Sequence, residues 1–331
     1  MAALLFGAST PLAKSLFPQM TPLLLAGLLY LGSGVGLAAY SFVRSRRSDV
    51  ARREAALTRK DAPWLAGAIL AGGVIAPVLL MWGLAATPAS SASLLLNLEG
   101  VLTALLAWFV FKENFDRRIA LGMALIAAGG VSLSWMGRLE VGVAWSSLAI
   151  VGACLAWAID NNLTRKVSAG DPVQIAMLKG LVAGSVNTGL ALAVGAKLPA
   201  ASSLLATGVV GFFGYGVSLT LFVLALRHIG TARTGAYFSV APFVGAAISI
   251  LFLGDTLTIG FIVAAVLMAL GVWLHLTEHH GHEHLHTHDE HHQHTHRPND
   301  PPGEPHTHWH RHEELVHTHQ HYPDIHHRHE H

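Results

Sequence analysis

The stretch 92-ASLLLNLEGVLTALLAWFVFKENF-115 is apolar for most of its length, yet Asn97 and Glu99 sit inside it. A helix crosses a bilayer in roughly 20 apolar residues, so the stretch reads as a membrane span. A carboxylate within a span is costly, which makes a functional role the default hypothesis. The stretch also has a counterpart. Laid over 234-TGAYFSVAPFVGAAISILFLGDTL-257, it sets Glu113 on Asp255, Ala104 on Ala246 and, further on, Gly129 on Gly271. The start of the chain repeats too, with 5-LFGASTPLAK-14 over 156-AWAIDNNLTR-165.

Comparable apolar runs recur at about 2–16, 22–43, 63–86, 88–111, 117–136, 143–163, 172–195, 202–226, 231–253 and 257–275. The short first run is met either by little tilt and local thinning of the bilayer or by an assigned start that lies a few residues late. Each half of the core then has five spans, with a short acidic break before its last one. Five is odd, so the second half enters upside down relative to the first. This is the inverted-repeat plan of many secondary transporters, with a site near mid-membrane between the halves. The pattern predicts an all-α integral membrane protein of ten transmembrane helices: repeats at 1–136 and 137–275, then a tail at 276–331.

The charges agree. The whole chain is 52% hydrophobic and 12% charged, against about 25% charged for a soluble domain. Residues 1–274 hold 18 Lys and Arg against 10 Asp and Glu, a balance of +8; the remainder holds 3 against 10, or −7. The connection 44-RSRRSDVARREAALTRK-60 carries seven basic residues, and 112-KENFDRR-118, 164-TRK-166 and 227-RHIGTAR-233 carry seven more. The positive-inside rule places these connections in the cytoplasm. An even number of spans then puts both termini there, in a multi-pass protein of the plasma (inner) membrane. The arginine-rich connection reads as an orientation signal that touches anionic lipid, not as a nucleic-acid site. Met1–Leu16 lacks the charge placement of a cleavable signal.

The segments 3-ALLFGASTPLAKSLF-17, 83-GLAATPASSASLLLNLEGVLTALLAWFVFKEN-114, 122-GMALIAAGGV-131 and 225-ALRHIGTARTGAYFSVAPFVGAAISILFLGD-255 resemble the EamA family of the drug/metabolite transporter superfamily. The resemblance covers residues 1–275. It implies a ten-helix, two-repeat carrier of small organic solutes, commonly an exporter. One departure is visible: the family often has Glu-Pro where this chain has Glu99-Gly100, while the second half keeps Pro242.

Three ionisable residues lie well inside predicted spans: Glu99, Asp160 and Lys179. With the neighbouring Asn97 and Asn161 they form the candidate solute or proton path. The competing reading of each charge is a structural ion pair or a snorkelling side chain. Lys179 also falls where the family tends to carry a basic residue. A carboxylate in hydrocarbon can exchange its proton near neutral pH, so Glu99 is a candidate coupling residue. Glu113 and Asp255 read as interfacial caps. Trp82, Trp108, Trp135, Trp145 and Trp157 read as belt or bundle residues. The small-residue runs 32-GSGVG-36, 67-GAILAGG-73 and 180-GLVAGSVNTG-189 read as close helix contacts. Cys154, the single cysteine, reads as a small buried hydrophobe. No phosphate-binding loop is present, and 87-TPASSAS-93 reads as a helix start, so an enzyme is not indicated.

The tail is a different chemistry. Of 23 histidines, 22 lie from His275 onward. Imidazole ligates Zn, Ni, Co and Cu. The candidate ligands are His282, His284, His286, His288, His291, His292, His294 and His296, then His306, His308, His310 and His312. The run 282–288 alternates, so an extended chain would place four histidines on one face. With few apolar residues to bury, the tail is expected to be disordered without metal. The core spans hold no matching histidines. The sequence therefore supports two functions: an organic-solute carrier with a metal-binding tail that requires no cofactor, or an exporter of a transition metal or its complex, loaded by the tail. Its partners are the lipid bilayer, a small solute and transition-metal ions.

Overall fold

A computed structural model describes residues 1–47, 57–111, 117–136, 141–168, 170–277, 282–286 and 306–310. Residues Met1–Leu276 fall in one compact unit of packed helices. Helices satisfy every internal backbone group, which suits apolar chain that must lie in lipid.

In the first half, α1 is Ala2–Leu16 and α2 is Pro22–Arg47. Next come α3 (Ala62–Ala68), a π-helical turn at Ile69–Ile75, and α4 (Ala76–Ala86), which together make one long rod. Then follow α5 (Ala89–Leu95), α6 (Asn97–Phe111) and α7 (Arg117–Met136). In the second half, α8 is Val141–Val167 and α9 is Pro172–Ala193. A second π turn, Phe212–Val217, joins α10 (Ala201–Gly211) to α11 (Ser218–Phe238). The last helices are α12 (Ala241–Leu253) and α13 (Ile259–Leu276).

Local chemistry sets several ends. Pro22 and Pro172 open α2 and α9, where the missing proline N–H costs nothing. Asp171 caps α9, accepting from the Val173 and Gln174 amides at 2.8 and 3.4 Å. Gly254, with φ +72°, closes α12 in the left-handed region.

Among the described residues, five helical stretches are long and apolar enough to cross a membrane, and Ala120–Leu133, Ala241–Leu253 and Ile259–Leu274 are shorter apolar helices. Large apolar side chains cover the outside: Trp82, Trp145, Leu205, Leu251, Phe252 and Ile259 are each more than two-thirds exposed. Such a surface belongs against lipid.

Helix boundaries lie near the ends of the expected apolar runs, but the run 88–111 is interrupted at Leu96 and the boundary near 230 is displaced. No break occurs at 227–230; α11 runs through to Phe238, and the interruption falls at Ser239–Val240, just before Pro242. Pro242 has no N–H to donate to the Phe238 carbonyl four residues back and so favours a new helix start there, whereas nothing in 227–238 forbids helix.

Among the packed pairs, α2 lies against α9, α7 against α13, α1 against α12, and α6 and α4 against α8. The α2–α9 contact is close because glycines face each other. A Cβ on Gly34 or Gly180 would collide with the opposite backbone. Cys154 is fully buried and donates its thiol to the Leu95 carbonyl at 3.7 Å.

In the tail, β1 (His282–His286) pairs antiparallel with β2 (His306–His310). Disorder was expected there. The period-two alternation of HEHLH and HTHWH suits extended pairing. Candidate ligands His288, His291, His292, His294, His296 and His312, and also Glu113, lie outside the described residues.

Candidate functional site

The first π turn organises the site. A π turn releases carbonyls that an α-helix would use, and these need partners. The Gly72 carbonyl accepts from the Tyr30 hydroxyl at 2.7 Å and from the Trp157 indole N–H at 3.0 Å. The Gly73 and Val74 carbonyls accept from the Asn187 amide at 3.3 and 3.2 Å. Side chains of α2, α8 and α9 thus converge on one turn of the third rod.

Directly beside it lies an ion pair. Lys179 of α9 places Nζ 2.6 and 2.7 Å from the two Asp160 oxygens and 3.1 Å from Thr164 Oγ1. Thr164 donates its hydroxyl to Asp160 Oδ1 at 2.7 Å. The side chains are 1% and 7% exposed, so the pair is closed to solvent. A Cβ on Gly72 would fall on the Asp160 carboxylate. Glycine is therefore required for α8 to bring Asp160 this close.

Glu99 stands opposite. The fourth rod breaks at Leu96, which puts Glu99 in the first turn of α6. The helix dipole there favours a carboxylate. The break occurs although Gly100 replaces a proline, and the Asn97 amide stabilises it by donating to the Leu94 carbonyl at 3.1 Å. Glu99 Oε1 accepts from Asn161 Nδ2 at 2.8 Å. Among the described residues no cation forms a salt bridge with Glu99.

Glu99, Asp160 and Asn161 line one cavity together with Phe6, Tyr30, Trp157, Tyr215, Phe222 and Phe238. Its empty volume is about 480 Å³, with the open mouth included. The rings touch one another. Phe6 packs edge-on against Trp157 and Tyr215 at 5.8 and 5.9 Å between centroids, and lies 5.2 Å from Phe238. Tyr30 meets Tyr215 at 5.2 Å, and Phe222 meets Phe238 at 4.8 Å.

Four of the five expected path residues are thus gathered: three line the cavity and Lys179 stands behind Asp160. Asn97 is buried away from the cavity, with its amide 3.8 Å from Met268 Sδ. The aromatic wall was not anticipated. Part of it was readable, because Trp157, Asp160 and Asn161 fall at i, i+3 and i+4. Tyr215, Ser218, Leu219 and Phe222 likewise share one helical face. Phe6 and Tyr30 carry no such mark. Asp255 acts at a distance: its Oδ2 accepts from the Ser90 amide at 2.8 Å and so caps α5. Lys14 caps the other side of the same joint, donating to the carbonyls of Leu84, Ala85 and Thr87 at 2.5, 3.1 and 2.9 Å. Within the helical unit, the described residues gather no group of three or more His, Cys, Asp or Glu side chains fit for a metal.

A polytopic helical bundle with charged groups around an internal cavity defines a membrane transporter. The EamA-like transporter family matches residues 1–135 and again 144–277, and the chain belongs to it. It is 30% identical over 290 residues to an uncharacterized transporter of Methanothermobacter thermautotrophicus, covering 82% of this chain and 83% of the relative. It is 25% identical over 269 residues to the uncharacterized inner membrane transporter YedA of Escherichia coli, covering 76% and 83%. A solved structure superposes with a TM-score of 0.62 at 18% identity, over 82% of this chain and 92% of the other. At that identity the likeness is one of fold.

Proposed function

We propose that the protein is a secondary transporter that exports a small organic solute across the plasma (inner) membrane. The observation that carries this reading is the aromatic-walled cavity with Glu99 at its edge, held by the neutral Asn161 amide. Ten spans arranged as inverted repeats, 1–136 and 137–275, give it a frame. Several pairings support that frame. Each half carries a π turn in its third rod, at Ile69–Ile75 and Phe212–Val217. Each half also breaks its fourth, at Leu96 and at Ser239–Val240. The contact of α1 with α12 is mirrored by that of α8 with α6.

Glu99 couples transport to protons. It loads a proton from outside as the solute leaves, and releases it inside. Asp160 and Lys179 neutralise each other and hold α8 to α9. Both termini face the cytoplasm. The test is transport in proteoliposomes across a solute panel under an imposed pH gradient. The reading fails if no organic solute moves.

The tail binds transition metal in this account. The strand register supports it, setting His282, His284 and His286 opposite His310, His308 and His306. A second reading makes metal, or a metal complex, the cargo. Only the tail favours it, since the described helical unit gathers no metal group. Removing residues 279–331 separates the two: organic transport persists under the first reading, and metal efflux collapses under the second.

A further inference from the structure

We propose that the Glu99 cavity is a site for an organic cation, a protonated amine or quaternary ammonium carried on an apolar or aromatic body. The inference rests on the carrier reading above and narrows its substrate class.

Charge is the first argument. Among the described residues, no Lys, Arg or His lines the cavity. The nearby Lys179 has three N–H donors. All three are committed, two to Asp160 and one to Thr164. The ion pair sums to zero, so with Glu99 deprotonated the described residues leave the cavity one net negative charge, that of Glu99. Its known partner, Asn161, is neutral. An anion would be repelled. A zwitterion would bring a carboxylate whose unengaged donors among the described lining are neutral ones, the Tyr215 hydroxyl and the second N–H of Asn161, with no cation to match its charge. A neutral solute would cover the ionised form of Glu99 and leave it uncompensated, which is costly in a low-dielectric site.

The wall is the second argument. Six aromatic rings from α1, α2, α8, α11 and the second π turn join into one continuous surface. Ring faces carry negative potential and attract ammonium groups. The same rings bury an apolar body. Tyr30 and Trp157 are fixed by Gly72, so their part of the wall is set before a solute arrives.

The test uses four solutes sharing one aromatic body: phenethyltrimethylammonium, phenylalanine, 3-phenylpropionate and 2-phenylethanol. Binding to the purified full chain is measured by calorimetry, and exchange of the three charged solutes by counterflow in proteoliposomes. The cation should bind at least about tenfold tighter than each of the others and should exchange. Glu99→Gln, which can keep its bond to Asn161, should lose about tenfold or more in cation affinity. Phe238→Leu should lose roughly threefold, and it carries the test if the Glu99 variant does not fold. If phenylalanine or phenylpropionate exchanges and the cation does not, the cation inference is overturned and the carrier reading stands. If the cation binds but no solute exchanges, the site assignment holds and the carrier reading falls. If nothing binds or exchanges, both fall. Cation affinity unchanged in the folded variants also overturns the proposal.

Discussion

Lys179 and Asp160 meet across α9 and α8, with Nζ 2.6 and 2.7 Å from the two carboxylate oxygens and both side chains buried. Such a pair is not a simple gain in stability, because desolvation offsets most of the attraction. Breaking it is another matter. Lys179→Met strands Asp160 in the core and should destabilise by about 3–5 kcal/mol. The double variant Lys179→Met with Asp160→Leu should recover much of that loss. Thermal unfolding in detergent measures both. Equal losses in the single and double variants would show that the pair is not coupled.

Glu99→Gln is expected to fold, since the amide can still take the Asn161 hydrogen bond. It should abolish transport driven by a pH gradient while leaving the melting temperature within a few degrees. Normal gradient-driven transport by this variant would remove Glu99 from the coupling role.

Gly72→Ala should cost about 1–3 kcal/mol, because its Cβ would overlap the Asp160 carboxylate. Gly189 offers the control. It lies in α9, and a Cβ there meets nothing within 4 Å, so Gly189→Ala should be neutral or stabilise by up to about 1 kcal/mol. The comparison is read from melting curves, and a larger loss at Gly189 would contradict the packing.

Zinc or nickel should bind the tail at neutral pH and leave as pH falls below about 6, because imidazole must be unprotonated to ligate. His284 and His308 are cross-strand partners. Replacing both with Ala should weaken binding more than replacing His288 and His291. Titration calorimetry on the full chain decides, and equal losses would argue against the strand register as the source of the site.

Much of the frame was legible because lipid imposes a simple code. Apolar runs of one length must become helices, so α1, α2, α7 and α9 fall close to where the sequence put them. The boundary near 230 was misplaced because Arg227 and Arg233 mark a polar connection without forbidding helix, while the actual break depends on Pro242. Asp255 was assigned to a local cap, and the cap it makes is on a helix 165 residues away.

The sequence by itself determined that Glu99, Asp160 and Lys179 are anomalous, because charge within an apolar run is visible at any position. Only the tertiary structure decided their surroundings. It tied Lys179 to Asp160 and left Glu99 facing an aromatic wall. Those placements depend on π turns that redirect carbonyls and on a glycine that admits a carboxylate. The rings of Phe6 and Tyr30 come from separate helices and meet only on packing. Pairing across helices is a property of distance, and the one-dimensional pattern of polarity does not contain it.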